Sequence, residues 1–445
     1  AWLNDTSGFY RAYPGAVILQ DQLIFNVDPY MNYYSKLGIR HSFKTRILHN
    51  DIASSNDQDN RSTVYYADYN FKRSYDFLKD FVFIGGLTAQ YNDVTSPLYT
   101  GSGSTESRLL NLSGYGEFEN SFFDFIKFSF GARIEYFSLN DSTNETKPIF
   151  RAGASVKLAQ ETFLRVSYGQ GYRYPTIAER YILTNMGSFA VFPNPELKPE
   201  SSINTEVGVK QGFKFMNFFG YLDFSVFQQE YENTIEYLFG FWDPTFSYAL
   251  AGFRFLNTGN SRISGVDISM NGIGKMGKNG EIKLLLGYNY IMPKTLEPDL
   301  VFANDYNPGG NTDFSFNSTS VNPKGQILKY RFLHNLKADV EVKYKNYSIG
   351  TSLKYFSKIE NLDKAILDFE EATINSGGTL QPILYSNYFN NHNNGNLIFD
   401  FRLAYEWNIH RIALISDNVL NRWYSLRPLK AEPMRNFILQ YAVKL

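Results

Sequence analysis

Five histidines are the first residues to question for metal binding or acid–base work: His41, His49, His334, His392 and His410. His49 and His392 fall near predicted loops, but an isolated loop histidine is ordinarily solvated, and no metal site is expected from them. Asp57 and Asp59 in Asn56-Asp57-Gln58-Asp59-Asn60 share the spacing of a calcium loop. The glycine and the distal glutamate of such a loop are missing, so an acidic surface loop is the expectation. The chain has no cysteine, which excludes thiolate metal sites and disulfides. No G-x-S-x-G, H-E-x-x-H or Walker sequence occurs, and no nucleophile–base pair can be assigned. The residues therefore point away from an enzyme and call for no cofactor.

Recognition is the chemistry that remains. Tyr174, Tyr181, Phe189, Phe192, Phe241, Trp242, Tyr306, Tyr385 and Tyr388 all fall in predicted loops. Aromatic rings set among Asn and Gln suit a bulky, partly polar ligand by stacking and hydrogen bonding. A second set is charged: Arg133, Glu135, Arg165, Asp400, Arg402 and Glu406. Their sequence neighbours are apolar, which predicts that they share the face opposite those neighbours. The net charge of −1 supplies no electrostatic reason for a nucleic-acid partner.

These residues must be held by strands. In 397–406, Leu397, Phe399, Phe401, Leu403 and Tyr405 alternate with Asp400, Arg402, Ala404 and Glu406. The last residues repeat the pattern, with Phe437, Leu439, Tyr441, Val443 and Leu445 on one side. Period two with one polar face fits either a half-buried soluble strand or a membrane barrel strand. About 17 strands of roughly 9–16 residues are predicted by this rule. They centre near Phe25, Phe43, Tyr66, Gly86, Tyr115, Gly131, Ala152, Val166 and Val207, then Phe224, Ser264, Leu286, Ala338, Leu353, Phe401, Leu414 and Leu439. Many exceed the usual globular strand and match the 9–11 residues that a tilted membrane strand needs.

Loop lengths alternate. Short turns are predicted at 36–38, 76–79, 122–125, 159–161, 215–217, 345–346 and 408–410. Long polar loops are predicted at 50–62, 93–106, 172–198, 239–252, 293–325, 360–394 and 421–433. Outer-membrane barrels sort their connections this way, with short periplasmic turns and long extracellular loops. The expectation is an all-β, antiparallel transmembrane barrel with a periplasmic C-terminus. The mean hydropathy of −0.31 does not oppose this, because barrel strands are only half apolar. No run of 18 apolar residues exists for a helical span. Aromatic residues make up 17%, as lipid-facing girdles require. Two loops are predicted to hold short helices, one within 175–187 and one within 362–373. An odd strand count suggests that further strands precede Ala1, where no signal peptide is readable.

Two segments then carry a family resemblance. Gly169-Gln170-Gly171-Tyr172-Arg173-Tyr174-Pro175-Thr176 is followed by Asn194-Pro195-Glu196-Leu197-Lys198-Pro199-Glu200. Together they resemble the "G-(F/Y)-R-x-P-T" and "N-P-x-L-K-P-E" boxes of TonB-dependent outer-membrane receptors. Gly131-Ala132-Arg133-Ile134-Glu135, Asn257-Thr258-Gly259 with Gly265-Val266-Asp267, Asn418–Tyr424 and Pro433–Phe437 resemble later family motifs in the right order. The Tyr- and Asn-rich loops are similar to those of Bacteroidetes receptors. The resemblance implies a 22-stranded barrel around a plug, of which this chain supplies about 17 strands and no plug. It implies TonB-dependent uptake of a scarce bulky solute: an iron chelate, cobalamin, a glycan or a peptide. Implied partners are outer-membrane lipid and lipopolysaccharide, the protein's own plug, the TonB complex and, as an open option, a surface lipoprotein. The six alternating charges would face the plug or line the path. Gly171, Arg173, Pro175, Asn194, Pro195, Leu197, Pro199 and Glu200 are the motif positions. Haem receptors carry a histidine between the two boxes; none lies between Thr176 and Pro193 here. A passive porin or a scaffolding barrel is the alternative, and a soluble all-β protein the third reading.

Overall fold

Alternation along the chain becomes one long antiparallel ladder. The computed structural model describes residues 3, 8–12, 17–75, 80–123, 125–185, 190–242, 251–305, 312–375 and 384–444. The elements begin with β1 (Gln20–Val27), β2 (Tyr30–Tyr34), β3 (Arg40–Ser54), β4 (Asn60–Tyr75) and β5 (Phe81–Thr95). After a 3-10 turn at Pro97–Ser102 come β6 (Glu106–Phe122), β7 (Ile126–Leu139), β8 (Thr143–Ala159) and β9 (Thr162–Arg173). A loop then carries α1 (Ile177–Tyr181), β10 (Thr184–Asn185) and β11 (Ala190–Phe192). Next are β12 (Glu200–Phe215) and β13 (Phe218–Glu232), the loop hairpin β14 (Ile235–Phe241) and β15 (Ala251–Asn257), then β16 (Ser261–Met276) and β17 (Gly280–Thr295). A second loop hairpin, β18 (Ala303–Asp305) and β19 (Thr312–Phe314), leads to α2 (Phe316–Thr319). The chain closes with β20 (His334–Tyr344), β21 (Tyr347–Phe356), α3 (Lys364–Asn375), α4 (Tyr385–His392), β22 (Asn396–Trp407), β23 (His410–Asp417) and β24 (Asn436–Val443).

The wall sheet has 18 segments, each hydrogen-bonded to its neighbours in chain order. β1 and β2 are one interrupted strand. Val27 stands opposite Ile47 and Tyr30 opposite Lys44, so the register is continuous across Asp28-Pro29. Pro29 has no N–H to give to the ladder, and it lies on an edge strand, where proline is tolerated. The wall therefore counts 17 strands, and every predicted centre falls inside one. Among the described residues, β1/β2 and β24 each pair on one side only.

The sheet has two chemically opposite faces. Phe43, Tyr69, Leu87 and Ile134 are exposed on one face. On the other, polar side chains reach across an intervening strand. Arg165 of β9 meets Asp223 of β13 past Gly208 of β12. Arg402 of β22 meets Asp339 of β20 past Gly350 of β21. Side chains of next-nearest strands converge only on a concave face. The polar face is therefore the inside of the curve and the apolar face the outside, the arrangement of a membrane barrel.

The two predicted loop helices are present as α1 and α3. Loop boundaries differ from the reading of the sequence. Residues 50–62 are mostly strand, since β3 runs to Ser54 and β4 restarts at Asn60. Likewise 239–252 holds part of the β14–β15 hairpin. Inner-face residues contact water and are polar, so composition alone makes strand ends look like loop. The turn predicted at 76–79 lies outside the described residues.

The crossing contacts give a test. A Cβ on Gly350 would lie 2.7 Å from the Arg402 guanidinium, and one on Gly208 2.8 Å from that of Arg165. A Cβ on Gly287 of the same face would meet nothing within 4 Å. Gly350→Val and Gly208→Val should each destabilise the barrel by about 1–3 kcal/mol, the usual size of overpacking. Gly287→Val should be neutral or stabilising, because it gains strand propensity without a clash. Urea unfolding from detergent micelles measures this; equal effects at all three sites would contradict the convergent geometry.

Candidate functional site

Two sites emerge from this wall: its concave face and the layer of loops at the long-loop end. On the concave face Arg133 pairs with Glu135, donates to Thr88 Oγ1 at 3.2 Å and lies over the Tyr115 ring. Glu135 also accepts from Asn111 Nδ2 at 2.7 Å. Arg165 bridges Glu206 at 3.0 Å and Asp223 at 2.6 Å. Arg402 meets both carboxylate oxygens of Asp339 at 2.9 Å. Asp400 takes Lys354 Nζ at 2.9 Å and the Asn418 N–H. Glu406 takes Lys343 Nζ at 2.7 Å. These charges are partly hydrated, so each pair contributes modestly, but together they fix long side chains flat against the wall.

Four histidines are occupied by neighbouring hydroxyls. His41 is hydrogen-bonded to Tyr69, His334 to Tyr288, His410 to Tyr441 and His49 to Thr63, at 2.7–2.9 Å. His392 stacks on Tyr388.

The motif residues form a clamp at the tops of β9 and β12. Pro175 precedes the cap of α1, where Thr176 Oγ1 accepts from the Glu179 N–H and Glu179 Oε2 accepts from the Thr176 N–H. Arg173 donates to Glu179 at 2.6 Å and stands 3.7 Å from Glu200. Arg180 donates twice to the Leu197 carbonyl, and Leu197 is fully buried. Asn194 is held by an uncharged group: its Nδ2 donates to the Phe255 carbonyl of β15. Around Pro195 the chain turns, with the Leu197 N–H reaching the Asn194 carbonyl. Beyond it, just before Pro199, the Lys198 N–H donates to Asn257 Oδ1 and the Lys198 carbonyl accepts from Asn257 Nδ2, and Glu200 accepts from the Ile235 N–H. Gly171 is needed at its place because a Cβ would come within 2.5 Å of Ser202 Oγ.

The loop aromatics are placed differently from the expected ligand surface. Tyr174, Tyr181, Trp242, Tyr385 and Tyr388 are all buried. Tyr174 stacks on Phe137 at 5.1 Å, and Trp242 donates to the Gly252 carbonyl and packs edge-on against Phe314. The loops are long enough to build their own cores, and large rings are what fills them. Phe192 is half-buried against the Trp242 cluster. Phe189 and Tyr306 lie outside the described residues, as does the Phe241 side chain.

The largest loop core joins Phe239, Leu362, Ile366, Phe369, Tyr385 and Tyr388 with Phe9, which stacks near Tyr388 and Trp423. Beside it sits an ion pair that the sequence did not suggest. Lys329 Nζ is 2.5 Å from Asp363, with both side chains almost wholly buried. Asp363 also accepts from the Tyr330 hydroxyl and from the Phe239 N–H, and Lys329 reaches Thr319. Nearby, Arg331 pairs with Glu236 at 3.0 Å. Burial pushes the Glu236 carboxyl above its ordinary range despite the pull of Arg331 and Lys329. The helix α4 also went unread, since Tyr385–His392 is rich in Asn and lacks a side-chain cap.

A polar concave wall, an apolar convex wall and a structured loop layer define a transmembrane β-barrel of the outer-membrane kind. The chain belongs to the family described as TonB dependent receptor-like, beta-barrel, which matches residues 3–426. That family consists of outer-membrane transport receptors. Among solved structures, the siderophore receptor PirA from Pseudomonas aeruginosa superposes with a TM-score of 0.64 at 11% identity, over 96% of this chain and 64% of that one. The hemophore receptor HasR from Serratia marcescens, solved with HasA and heme, gives 0.62 at 14% identity, over 94% and 65%. The hemoglobin and hemoglobin-haptoglobin-binding protein A of Haemophilus influenzae is 25% identical over 220 residues, which is 45% of this chain and 20% of that protein. The chain thus spans less than two thirds of the receptors it resembles.

The buried pair makes the loop layer sensitive to mutation. Asp363→Ala leaves Lys329 buried without its counter-charge and should cost about 3–5 kcal/mol locally. Hydrogen exchange should rise in 315–332 and 357–375 while the wall strands stay protected. Unchanged exchange in those loops would show that the pair does not hold them.

Proposed function

We propose that this chain is the wall and loop layer of an outer-membrane receptor that takes up a scarce, bulky solute by TonB-dependent transport. Iron chelates are the first candidates, because the similar proteins named above are a siderophore receptor, a hemophore receptor solved with heme and a hemoglobin-binding protein. The observation that carries the reading is the concave face. Charges in its middle, such as Arg165 with Asp223 and Arg402 with Asp339, are neutralised in pairs between strands, which suits a water-filled, protein-contacting lumen and not a soluble core. The long loops face outward from the cell, and the short turns and the last residues of β24 face the periplasm. Further strands of the same protein fill the edge between β1/β2 and β24. A plug occupies the lumen and touches Arg133, Glu135, Arg165, Asp400, Arg402 and Glu406. Lipid and lipopolysaccharide surround the convex face.

Solute contact falls to the side of the loop layer that faces the lumen. Phe192 and the residues at 189, 241 and 306 are the aromatic candidates left after the buried five are set aside. With no histidine between Thr176 and Pro193, a ferric siderophore fits better than haem held by a loop imidazole.

The intact receptor, expressed in a host stripped of its own iron receptors, should support uptake of radioactive iron from a ferric chelate panel. Removing TonB should abolish that uptake. Uptake that persists without TonB would overturn active transport and favour a passive pore.

A further inference from the structure

The middle of the concave wall is neutralised in pairs, but its short-turn rim is not. Arg40, Lys72, Lys127, Lys157, Lys214 and Lys275 lie in the last pleats of β3, β4, β7, β8, β12 and β16 next to the short turns. Cross-strand register places all six on the inner face. Lys127 stands opposite Ser155, which neighbours Arg165; Lys214 stands opposite Phe219, in phase with Asp223; Lys72 is in phase with Asp68. All six are exposed, and none has a carboxylate within ion-pair distance among the described residues. Lys275 faces Glu281, but Lys283 holds that carboxylate at 3.2 Å. Glu406, on the same rim, is taken by Lys343 and Arg411. Glu119 and Glu161 also lie on this rim, Glu161 beside Gly212, and neither is within ion-pair distance of the six among the described residues. Most telling, Arg40 and Lys72 stand directly opposite each other. Like charges in that position destabilise a sheet. The strands tolerate a repulsion that an external anion would relieve.

Two anions could do so: a solute in transit, or acidic groups on a body seated in the lumen. Length scales decide. Seventeen strands about 4.8 Å apart make a perimeter of at least roughly 80 Å, which puts the axis at least about 13 Å from the wall. Screening at physiological salt acts within about 8 Å. A solute near the axis feels little of the rim, whereas a folded body packed against the wall feels all of it.

We propose that this basic rim is the seat for a carboxylate-rich face of the lumen-filling domain of the same protein. The inference rests on the reading above that such a plug exists. The rim then locks the periplasmic side of the plug electrostatically, and pulling the plug breaks many weak pairs at once.

Zero-length carbodiimide coupling on the intact receptor, read by peptide mass spectrometry, tests this. The expected result is amide links from Lys72, Lys127, Lys157 or Lys214 to carboxylates of the plug, outside the 445 residues of the wall and loops. Their yield should fall severalfold in 1 M salt, where the Debye length is about 3 Å. Links from the plug only to other parts of the wall would overturn the seat and leave the plug reading standing. Absence of any link between wall and plug, with no plug peptides in the intact protein, would overturn both.

Discussion

Backbone hydrogen bonding in a medium without water governs this molecule. A strand that crosses lipid must give every N–H and C=O a partner from another strand. The chain meets that demand with neighbours in sequence order, so each strand is the immediate template for the next. Once the ladder is fixed, period two sends half the side chains to each face, and curvature makes one face crowded and the other open. Crowding explains why Arg165 and Arg402 need a glycine beside them. Openness explains why Phe43, Leu87 and Ile134 can be large and exposed.

The loops obey a different rule. They are free of the ladder and long enough to need cores of their own. Their aromatic residues supply those cores, and a buried Lys329–Asp363 pair joins segments that come from separate wall hairpins. Burying two charges is expensive, so such a pair stabilises little in itself. Its use is to set which loops meet. The clamp from Arg173 to Glu200 does the same for the hairpin β14–β15, by backbone carbonyls and caps beside the apolar cluster of Leu139, Tyr174, Ile177 and Tyr181.

Much of the wall was legible in the sequence because alternation is a local signal. All 17 strand centres could be read from Phe25 to Leu439, including strands with weak hydropathy. The limits of strands were less legible, since polar inner residues such as Asn50, Asn60 and Ser62 have the composition of a loop. That the six charges alternate with apolar neighbours could be read from the sequence, but not their partners. Arg402 and Asp339 lie 63 residues apart, and only the register brings them together. The loop aromatics show the opposite failure. Tyr385 and Trp242 have the composition of a binding surface, and composition does not tell a ring that stacks on a ligand from one that stacks on Phe9 or Phe314. Asp363, one residue from the predicted helical face of Leu362, carried no signal of Lys329 at all.

The central claim is that the polar face lines water and the apolar face lies in lipid. The chain has no cysteine, so single cysteines can be placed without background. Spin labels on adjacent exposed residues of β17, at Leu286 on the apolar face and Leu285 opposite Asp339 on the polar face, would measure the claim directly in reconstituted membranes. High oxygen accessibility is expected at 286 and high accessibility to a water-soluble nickel chelate at 285. Equal water accessibility at both positions, or the reverse assignment, would contradict it.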